Sequence, residues 1–304
     1  MRLPDKGLID RKRPLTFQFD GRSYSGFQGD TVASALLANG VRLVGRSFKY
    51  HRPRGILTAG SHEPNALVTT GTGGNTTPNV RATTQELFEG LTCKSQNNWP
   101  NLSLDFLSVN DIASPFLGAG FYYKTFMWPR AFWEKLYEPI IRRAAGLGAL
   151  SGQHDTSQNE KAYAFCDILV IGGGPAGLIA ALAGARAGAD VILADENPVL
   201  GGRLLDENEV IAGKPAQEWL DKITGELTEM ANVRIMTRTT VTGTFDQGTF
   251  GAIERVSLHR ADNDGVPLET FWRIVAKQTV LAAGAIERPI AFANNDRPGI
   301  MMAG

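Results

Sequence analysis

Hydrophobic and polar positions alternate in short runs along the first hundred residues. Residues 15–19 and 22–25 flank Asp20-Gly21, a dipeptide typical of a two-residue hairpin turn. A helix is predicted next, with Asp30 as its N-cap and Asn39-Gly40 as its stop. Further short strands are predicted at 65–70 and 80–84. A hairpin, a helix and more strands predict a small α+β domain that ends near residue 110.

A second pattern, in residues 167–196, predicts a strand, a glycine-rich turn, a helix and another strand. In Gly172-x-Gly174-x-x-Gly177 the first glycine permits a tight turn, the second lets the backbone approach a pyrophosphate, and the third lets the helix pack on the strand. The start of the helix offers N–H groups and a positive dipole end to phosphates. We therefore predict a dinucleotide site formed by Gly172, Gly174, Pro175, Ala176, Gly177, Asp195 and Glu196.

The acids after the second strand narrow the ligand. Asp195 stands where a ribose-binding carboxylate is expected, and Glu196 follows it. Both would repel a 2′-phosphate, and no Arg or Lys follows until Arg203. NADP is therefore disfavoured, whereas NAD and FAD both stay open because each presents an adenosine ribose and a pyrophosphate to the turn.

Composition excludes several classes of protein. The chain has 304 residues and zero formal net charge, so two domains are expected and a general nucleic-acid role has no electrostatic support. Its two cysteines, Cys93 and Cys166, exclude a disulfide framework, a cysteine-ligated zinc site and a four-cysteine iron–sulfur cluster. The four histidines have no ligand spacing, so no metal site is predicted. No apolar signal core or membrane-length segment occurs, which predicts a cytoplasmic location without membrane association.

The rest of the chain divides by composition. Aromatic residues are dense from residue 116 to 137, and small polar residues at 146–161 indicate a linker. We predict domains at 1–112 and 164–304, joined by the aromatic-rich segment and linker of 113–163. Because a doubly wound sheet normally needs more chain than remains, the second domain is expected to be incomplete.

Three long stretches, residues 29–56, 119–148 and 281–304, stand out beside the dinucleotide turn. Together with that turn they resemble the alpha subunits of heterotetrameric sarcosine oxidases. Residues 281–304 also resemble the second signature of two-dinucleotide-domain flavoproteins. On this resemblance the chain corresponds to the amino-terminal third of such a subunit. The resemblance also adds to the predicted site Gly202, Arg203, Ala283 and Gly284.

The resemblance implies an oxidoreductase complex of alpha, beta, gamma and delta subunits. Such a complex demethylates sarcosine, a small-molecule substrate, to glycine and yields hydrogen peroxide and either formaldehyde or methylenetetrahydrofolate. It implies NAD at the glycine-rich turn, with FAD as the alternative, and FMN and FAD elsewhere in the complex. Since substrate oxidation then lies in another subunit, this chain alone is expected to be inactive and no residue receives a catalytic role.

The resemblance also implies a fold class. It is an amino-terminal ferredoxin-like β-grasp domain without a cluster, followed by a Rossmann-like FAD/NAD(P)-binding domain of the two-dinucleotide-domain type. Cluster-bearing relatives carry a cysteine-rich loop after the YHRPRG stretch, whereas residues 55–65 here contain no cysteine. We therefore expect no iron–sulfur cluster.

Alternatives remain at three places. The chain could instead be an FAD-binding subunit of an amine or opine dehydrogenase, or an NAD-binding subunit with a purely structural role. The basic run that includes Arg52 and Arg54 is either a solvated loop or a site that holds phosphates or a partner subunit. Three acidic residues after Gly201-Gly202 are interpreted as surface carboxylates rather than as acid–base catalysts; they are Asp206, Glu207 and Glu209.

Overall fold

The computed structural model describes residues 2–3, 7–118, 120, 126, 128–144, 146–207, 209–211, 213–262 and 265–303. The chain forms two compact units, Met1–Thr156 with Arg288–Ala303 and Ser157–Glu287. The domain boundaries proposed from composition stay predictions. Three residues of the aromatic-rich segment, Phe121, Tyr122 and Tyr123, lie outside the described residues.

A five-stranded sheet organises the first unit. Its strands lie in the order β2-β1-β7-β5-β6, and β3 and β4 form a separate two-stranded ladder. The strands are β1 (Asp10–Phe19), β2 (Arg22–Gln28), β3 (Gly45–Arg46), β4 (Pro53–Arg54), β5 (Leu67–Thr70), β6 (Thr77–Arg81) and β7 (Thr92–Ser95), and the helices are α1 (Val32–Ala38), α2 (Val109–Ile112) and α3 (Glu138–Ala144). Phe17, Leu36 and Val68 are fully buried in the core between α1 and the sheet.

The predicted hairpin is confirmed. β1 and β2 pair antiparallel, and the turn residues Asp20 and Gly21 have φ values of 49° and 75°. Two successive residues of positive φ give the turn whose twist matches that of the flanking strands.

The start of α1 differs from the prediction by one residue. The N-cap is Thr31, which accepts a hydrogen bond from the Ser34 backbone N–H. Asp30 is instead fully buried, where its carboxylate accepts two hydrogen bonds from the Arg2 guanidinium at 2.6–2.7 Å. A short-range capping pattern could not reveal this, because the competing partner comes from a residue 28 positions away.

A buried carboxylate shapes the loop between β4 and β5. Glu63 is 1% exposed and accepts hydrogen bonds from the backbone N–H groups of Leu57, Thr58, Asn65 and Ala66 at 2.7–3.1 Å. The Thr58 hydroxyl is a further donor to it. Since an ionised carboxylate is a strong acceptor, this one side chain replaces water for four amides of the loop.

The segment Arg288–Ala303 belongs to the first unit although it follows the second in sequence. Asp296 forms ion pairs with Arg52, at 2.8 Å, and with Arg54. The backbone N–H of Met302 donates to the Leu57 carbonyl at 2.8 Å. Arg52 and Arg54 of the basic run thus both have a partner within their own unit, which neither interpretation of that run included.

This ion-pair cluster predicts a pH-dependent contribution to stability. Hydrogen bonds from Arg52, followed by the nearby charge of Arg54, lower the pKa of Asp296 from 3.8 to about 2. Because the pKa is lowered in the folded state, the stabilisation is complete above pH 3.8 and is lost as pH falls towards 2. A shift of this size corresponds to about 2 kcal/mol. In urea unfolding, Asp296→Asn should destabilise the protein most at pH 7 and clearly less at pH 2.5, where the stabilisation is partly lost. An equal effect at both would contradict this.

A six-stranded mixed sheet organises the second unit, in the order β12-β9-β8-β15-β14-β13. Its elements are β8 (Glu160–Ile171), α4 (Pro175–Arg186), β9 (Val191–Ala194), α5 (Ala216–Glu229), β12 (Val233–Met236), β13 (Thr239–Phe245), β14 (Thr249–Arg255) and β15 (Glu269–Leu281), and a small ladder joins β10 (Val210–Ile211) and β11 (Lys214–Pro215). The strands β12, β9, β8 and β15 are parallel, and β14 and β13 extend the sheet antiparallel.

The predicted strand, turn, helix and strand of the second unit are confirmed as β8, α4 and β9. Leu178, Ala181 and Leu182 on α4 pack with Val170 and Leu193 of the sheet in one buried cluster. The carboxyl ends of the parallel strands therefore meet the start of α4 at one edge of the sheet, which is where ligands bind in open α/β folds.

Candidate dinucleotide-binding crevice

Two glycines fix the shape of the turn between β8 and α4. Gly172 has a φ of 104°, and a Cβ there would lie 2.3 Å from the carbonyl oxygen of Ala282. A Cβ on Gly177 would lie 1.8 Å from the carbonyl oxygen of Gly172. Any side chain at either position would meet backbone, so the turn and the helix can approach this closely only because both residues are glycine.

Gly174 has a different role. It has an ordinary φ of −74°, and no described atom lies within 4 Å of the position of its missing Cβ. The protein itself therefore does not require glycine there. Gly174 is also the N-cap of α4, to which no described side chain donates or accepts a capping bond. The first N–H groups of the helix are thus available to a ligand.

Asp195 ties the glycine-rich turn to the end of β9. It is 7% exposed, and its carboxylate accepts hydrogen bonds from the backbone N–H groups of Gly173, at 2.5 Å, and Asn197, at 2.7 Å. The expected contact with ribose hydroxyls would use the remaining lone pairs of the same oxygens. The structure thus adds a positioning role that the sequence pattern did not predict.

The second glycine pair closes the crevice from the other side. The N–H of Gly201 donates to the Gly173 carbonyl at 2.9 Å. A Cβ on Gly202 would lie 3.1 Å from the Cα of Gly174. Arg203 follows directly and is consequently held beside the turn.

These elements enclose a crevice of about 560 Å³, a volume in the range of small-ligand sites. Ten of the eleven residues predicted from the sequence line it, and Gly177 lies behind the turn. The lining residues that were predicted are Gly172, Gly174, Pro175, Ala176, Asp195, Glu196, Gly202, Arg203, Ala283 and Gly284.

The charged groups of the crevice are unbalanced. Among the described lining residues, Asp195, Glu196 and Glu207 are acidic and Arg203 alone is basic. Arg203 donates from Nε to Glu207 Oε1 at 2.8 Å, and this hydrogen bond raises the pKa of Arg203. The acidic lining therefore favours a ribose without a 2′-phosphate. Arg203, the one basic residue of the described lining, already pairs with Glu207.

Some lining residues could not be found from the sequence. Thr239, Thr240 and Val241 reach the crevice because β13 begins where β9 ends, a placement set by strand pairing rather than by a local motif. Glu207 was interpreted as a surface carboxylate, whereas it lies at the crevice. Its spacing of four residues from Arg203 was the one available signal.

No metal centre accompanies the crevice in the part of the chain that the structure describes. No three His, Cys, Asp or Glu side chains are grouped there so that they could hold a metal ion. Cys93 and Cys166 are both buried, and burial raises their thiol pKa values to about 12 and about 11. None of the described helices has the length and apolar character needed to cross a membrane.

Two family models match the chain. One, described as a 2Fe-2S iron-sulfur cluster binding domain, matches residues 12–98, and the other, described as an FAD dependent oxidoreductase, matches residues 167–252. The first match overturns the expected fold class with a cluster-free first domain and the expected cofactor set without an iron–sulfur cluster. Both predictions are wrong. They treated the cysteine-rich loop as the defining feature of a cluster-binding domain, whereas the family model matches a stretch that includes the strands of the sheet and the helix α1.

The residues present do not supply the ligand set that such clusters commonly use. Cysteine thiolates hold the iron, and Cys93, with its raised pKa, is the one thiol of the sequence within residues 12–98. The residues present therefore do not fit a cluster held by four cysteines.

The fold and the sequence both have known relatives. The L-proline dehydrogenase of P. horikoshii has a similar fold, with a TM-score of 0.60 and 22% identity over 95% of this chain and 44% of that one. The sarcosine oxidase subunit alpha of Rhizobium meliloti (strain 1021) is 60% identical over 100% of this chain, which spans 31% of the relative's length. The sarcosine oxidase subunit alpha of Corynebacterium sp. (strain U-96) is 38% identical over 97% of this chain, and the chain spans 26% of that relative's length. Over its whole length the chain is therefore similar to about the amino-terminal third of sarcosine oxidase alpha subunits.

Proposed function

We propose that the chain is the dinucleotide-binding part of an oxidoreductase complex of the sarcosine oxidase type. The complex would demethylate sarcosine to glycine and yield hydrogen peroxide, with the one-carbon unit leaving as formaldehyde or as methylenetetrahydrofolate. The observation that carries the proposal is the crevice, which brings ten residues from distant parts of the sequence around the start of one helix. The partners would be the beta, gamma and delta subunits, and a cytoplasmic location belongs to the same proposal.

The crevice suits the adenosine diphosphate half that adenine dinucleotides share. The N–H groups at the start of α4 would bind the diphosphate, and the acidic end of β9 would bind the ribose. The family model that matches residues 167–252 is described as an FAD dependent oxidoreductase, which supports FAD as the dinucleotide. When bound, a flavin supplies the capacity to accept electrons; the residues of the chain bind and orient it, and none of them is assigned to substrate oxidation.

A methyl group at Gly174 tests the proposal. Because the position of the missing Cβ is open in the protein, Gly174→Ala should leave the unfolding midpoint unchanged. A diphosphate against the turn would meet this methyl, so ADP-ribose should bind on the order of tenfold more weakly, as expected for the loss of about 1.4 kcal/mol. Calorimetric titration of the wild type and the variant measures this.

Two outcomes would count against the proposal. If the wild type does not bind ADP-ribose, or if Gly174→Ala binds it equally well, the diphosphate does not lie at this turn. ADP-ribose cannot distinguish FAD from NAD, because it lacks both the flavin and the nicotinamide. Mass spectrometry of the nucleotide released on denaturation makes that distinction. A flavin would support the FAD assignment, and a nicotinamide would overturn that assignment while leaving the crevice in place.

A further inference from the structure

The charged residues that line the crevice are unfavourable for binding the diphosphate of a dinucleotide. A diphosphate is an anion, yet three of the four charged residues that line the described crevice are carboxylates. The helix start contributes only a partial positive charge. Arg203 is therefore the one full positive charge that the described lining offers to the diphosphate, and its availability should influence affinity.

Arg203 is engaged by an acid of the same crevice. Its Nε lies 2.8 Å from Glu207 Oε1, and both residues line the crevice. The side chains are 60% and 39% exposed, so neither is held by packing on all sides. An ion pair of this exposure is weak and can exchange partners at low cost.

The backbone keeps Arg203 next to the turn. The close approach of the Gly202 backbone to Gly174 and the hydrogen bond from Gly201 to Gly173 position the chain immediately before it. A change of side-chain rotamer, without movement of the backbone, can therefore turn the guanidinium from Glu207 towards an anion at the turn.

We propose that Glu207 sets the affinity of the crevice by competing with the dinucleotide's diphosphate for Arg203. The inference rests on the proposed function and adds a determinant of its strength. Before binding, Glu207 pairs with the guanidinium; after binding, the diphosphate takes at least part of its hydrogen bonds, and breaking the pair subtracts from the binding free energy.

The test is a double-mutant cycle with ADP-ribose as the probe, measured by calorimetry on the full chain at low ionic strength. Glu207→Gln should bind ADP-ribose roughly two- to fivefold more tightly, the range that an exposed ion pair of up to about 1 kcal/mol allows. Arg203→Gln should bind it more weakly. In the double variant the substitution at Glu207 should give little gain, because the guanidinium that it released is no longer there.

A matched control separates the local pair from the loss of one negative charge. Glu218 forms an ion pair with Lys214 at 3.7 Å, also four residues apart, and does not belong to the described lining of the crevice. Glu218→Gln should leave the affinity for ADP-ribose unchanged. The gain in Glu207→Gln should also shrink as salt is raised, since screening weakens exposed pairs.

The outcomes distinguish this inference from the proposed function. If the wild type does not bind ADP-ribose, both the proposed function and the competition for Arg203 are overturned. Binding by the wild type with no gain in Glu207→Gln, or with the same gain when Arg203 is also replaced, would overturn the competition and leave the crevice assignment intact.

Discussion

Gly177→Ala is expected to lower the free energy of unfolding by about 3 kcal/mol or more, because the new methyl would overlap backbone rather than a movable side chain. The Cβ would lie 1.8 Å from the Gly172 carbonyl oxygen and 3.4 Å from the Cβ of Ala282. Relief requires α4 to move away from β8, and this also displaces the turn that forms the floor of the crevice. Urea unfolding followed by circular dichroism would show the loss, and binding of ADP-ribose should disappear with it.

Gly225 provides a matched control in a second helix. It is exposed on α5, and no described atom lies within 4 Å of the position of its missing Cβ. Gly225→Ala should therefore stabilise the protein by up to about 1 kcal/mol, since alanine favours the helix. Equal unfolding midpoints for the two variants would show that the close approach of helix and strand at Gly177 is not needed.

Together with Gly174→Ala, these variants separate two reasons for a glycine in one motif. At Gly177 the reason lies in the packing of the protein itself, so stability should report it. At Gly174 the space is open among the described residues, so under the proposed function the affinity for ADP-ribose should report the reason. The sequence pattern is the same for both positions, and the distinction needs the three-dimensional distances.

The parts of the fold that the sequence predicted are those set by neighbouring residues. The turn at Asp20-Gly21 and the succession of β8, α4 and β9 depend on local φ preferences and on apolar spacing. Most residues predicted for a dinucleotide lie around one crevice for the same local reason, since a strand and the helix after it place the glycine-rich turn at the end of the sheet.

The parts that it did not predict depend on partners far along the chain. Asp296 and Arg52 are 244 residues apart, and Arg2 reaches Asp30 across 28 residues. No periodicity connects such pairs. Nor could composition show that Glu207 belongs to the crevice, because an exposed acid beside an arginine has the same local pattern on any surface.

Glu63→Gln should lower the free energy of unfolding by about 2–4 kcal/mol, although the two side chains have nearly the same shape. Both carboxylate oxygens of Glu63 accept backbone hydrogen bonds, from Leu57 and Thr58 on one oxygen and from Asn65 and Ala66 on the other. A glutamine would direct its NH2 group at one of these pairs of N–H donors, so one buried and one partly buried donor would lose their acceptor.

The same substitution at Glu89 is the control for this prediction. Glu89 is exposed and accepts one hydrogen bond, from the backbone N–H of Thr16 at 2.8 Å. Water can replace that acceptor, so Glu89→Gln should change the free energy of unfolding by no more than about 0.5 kcal/mol. Hydrogen exchange would locate the effect, with protection at Leu57, Thr58, Asn65 and Ala66 lost in Glu63→Gln and kept in Glu89→Gln. Unfolding curves that coincide for the two variants would mean that the buried carboxylate does not organise this loop.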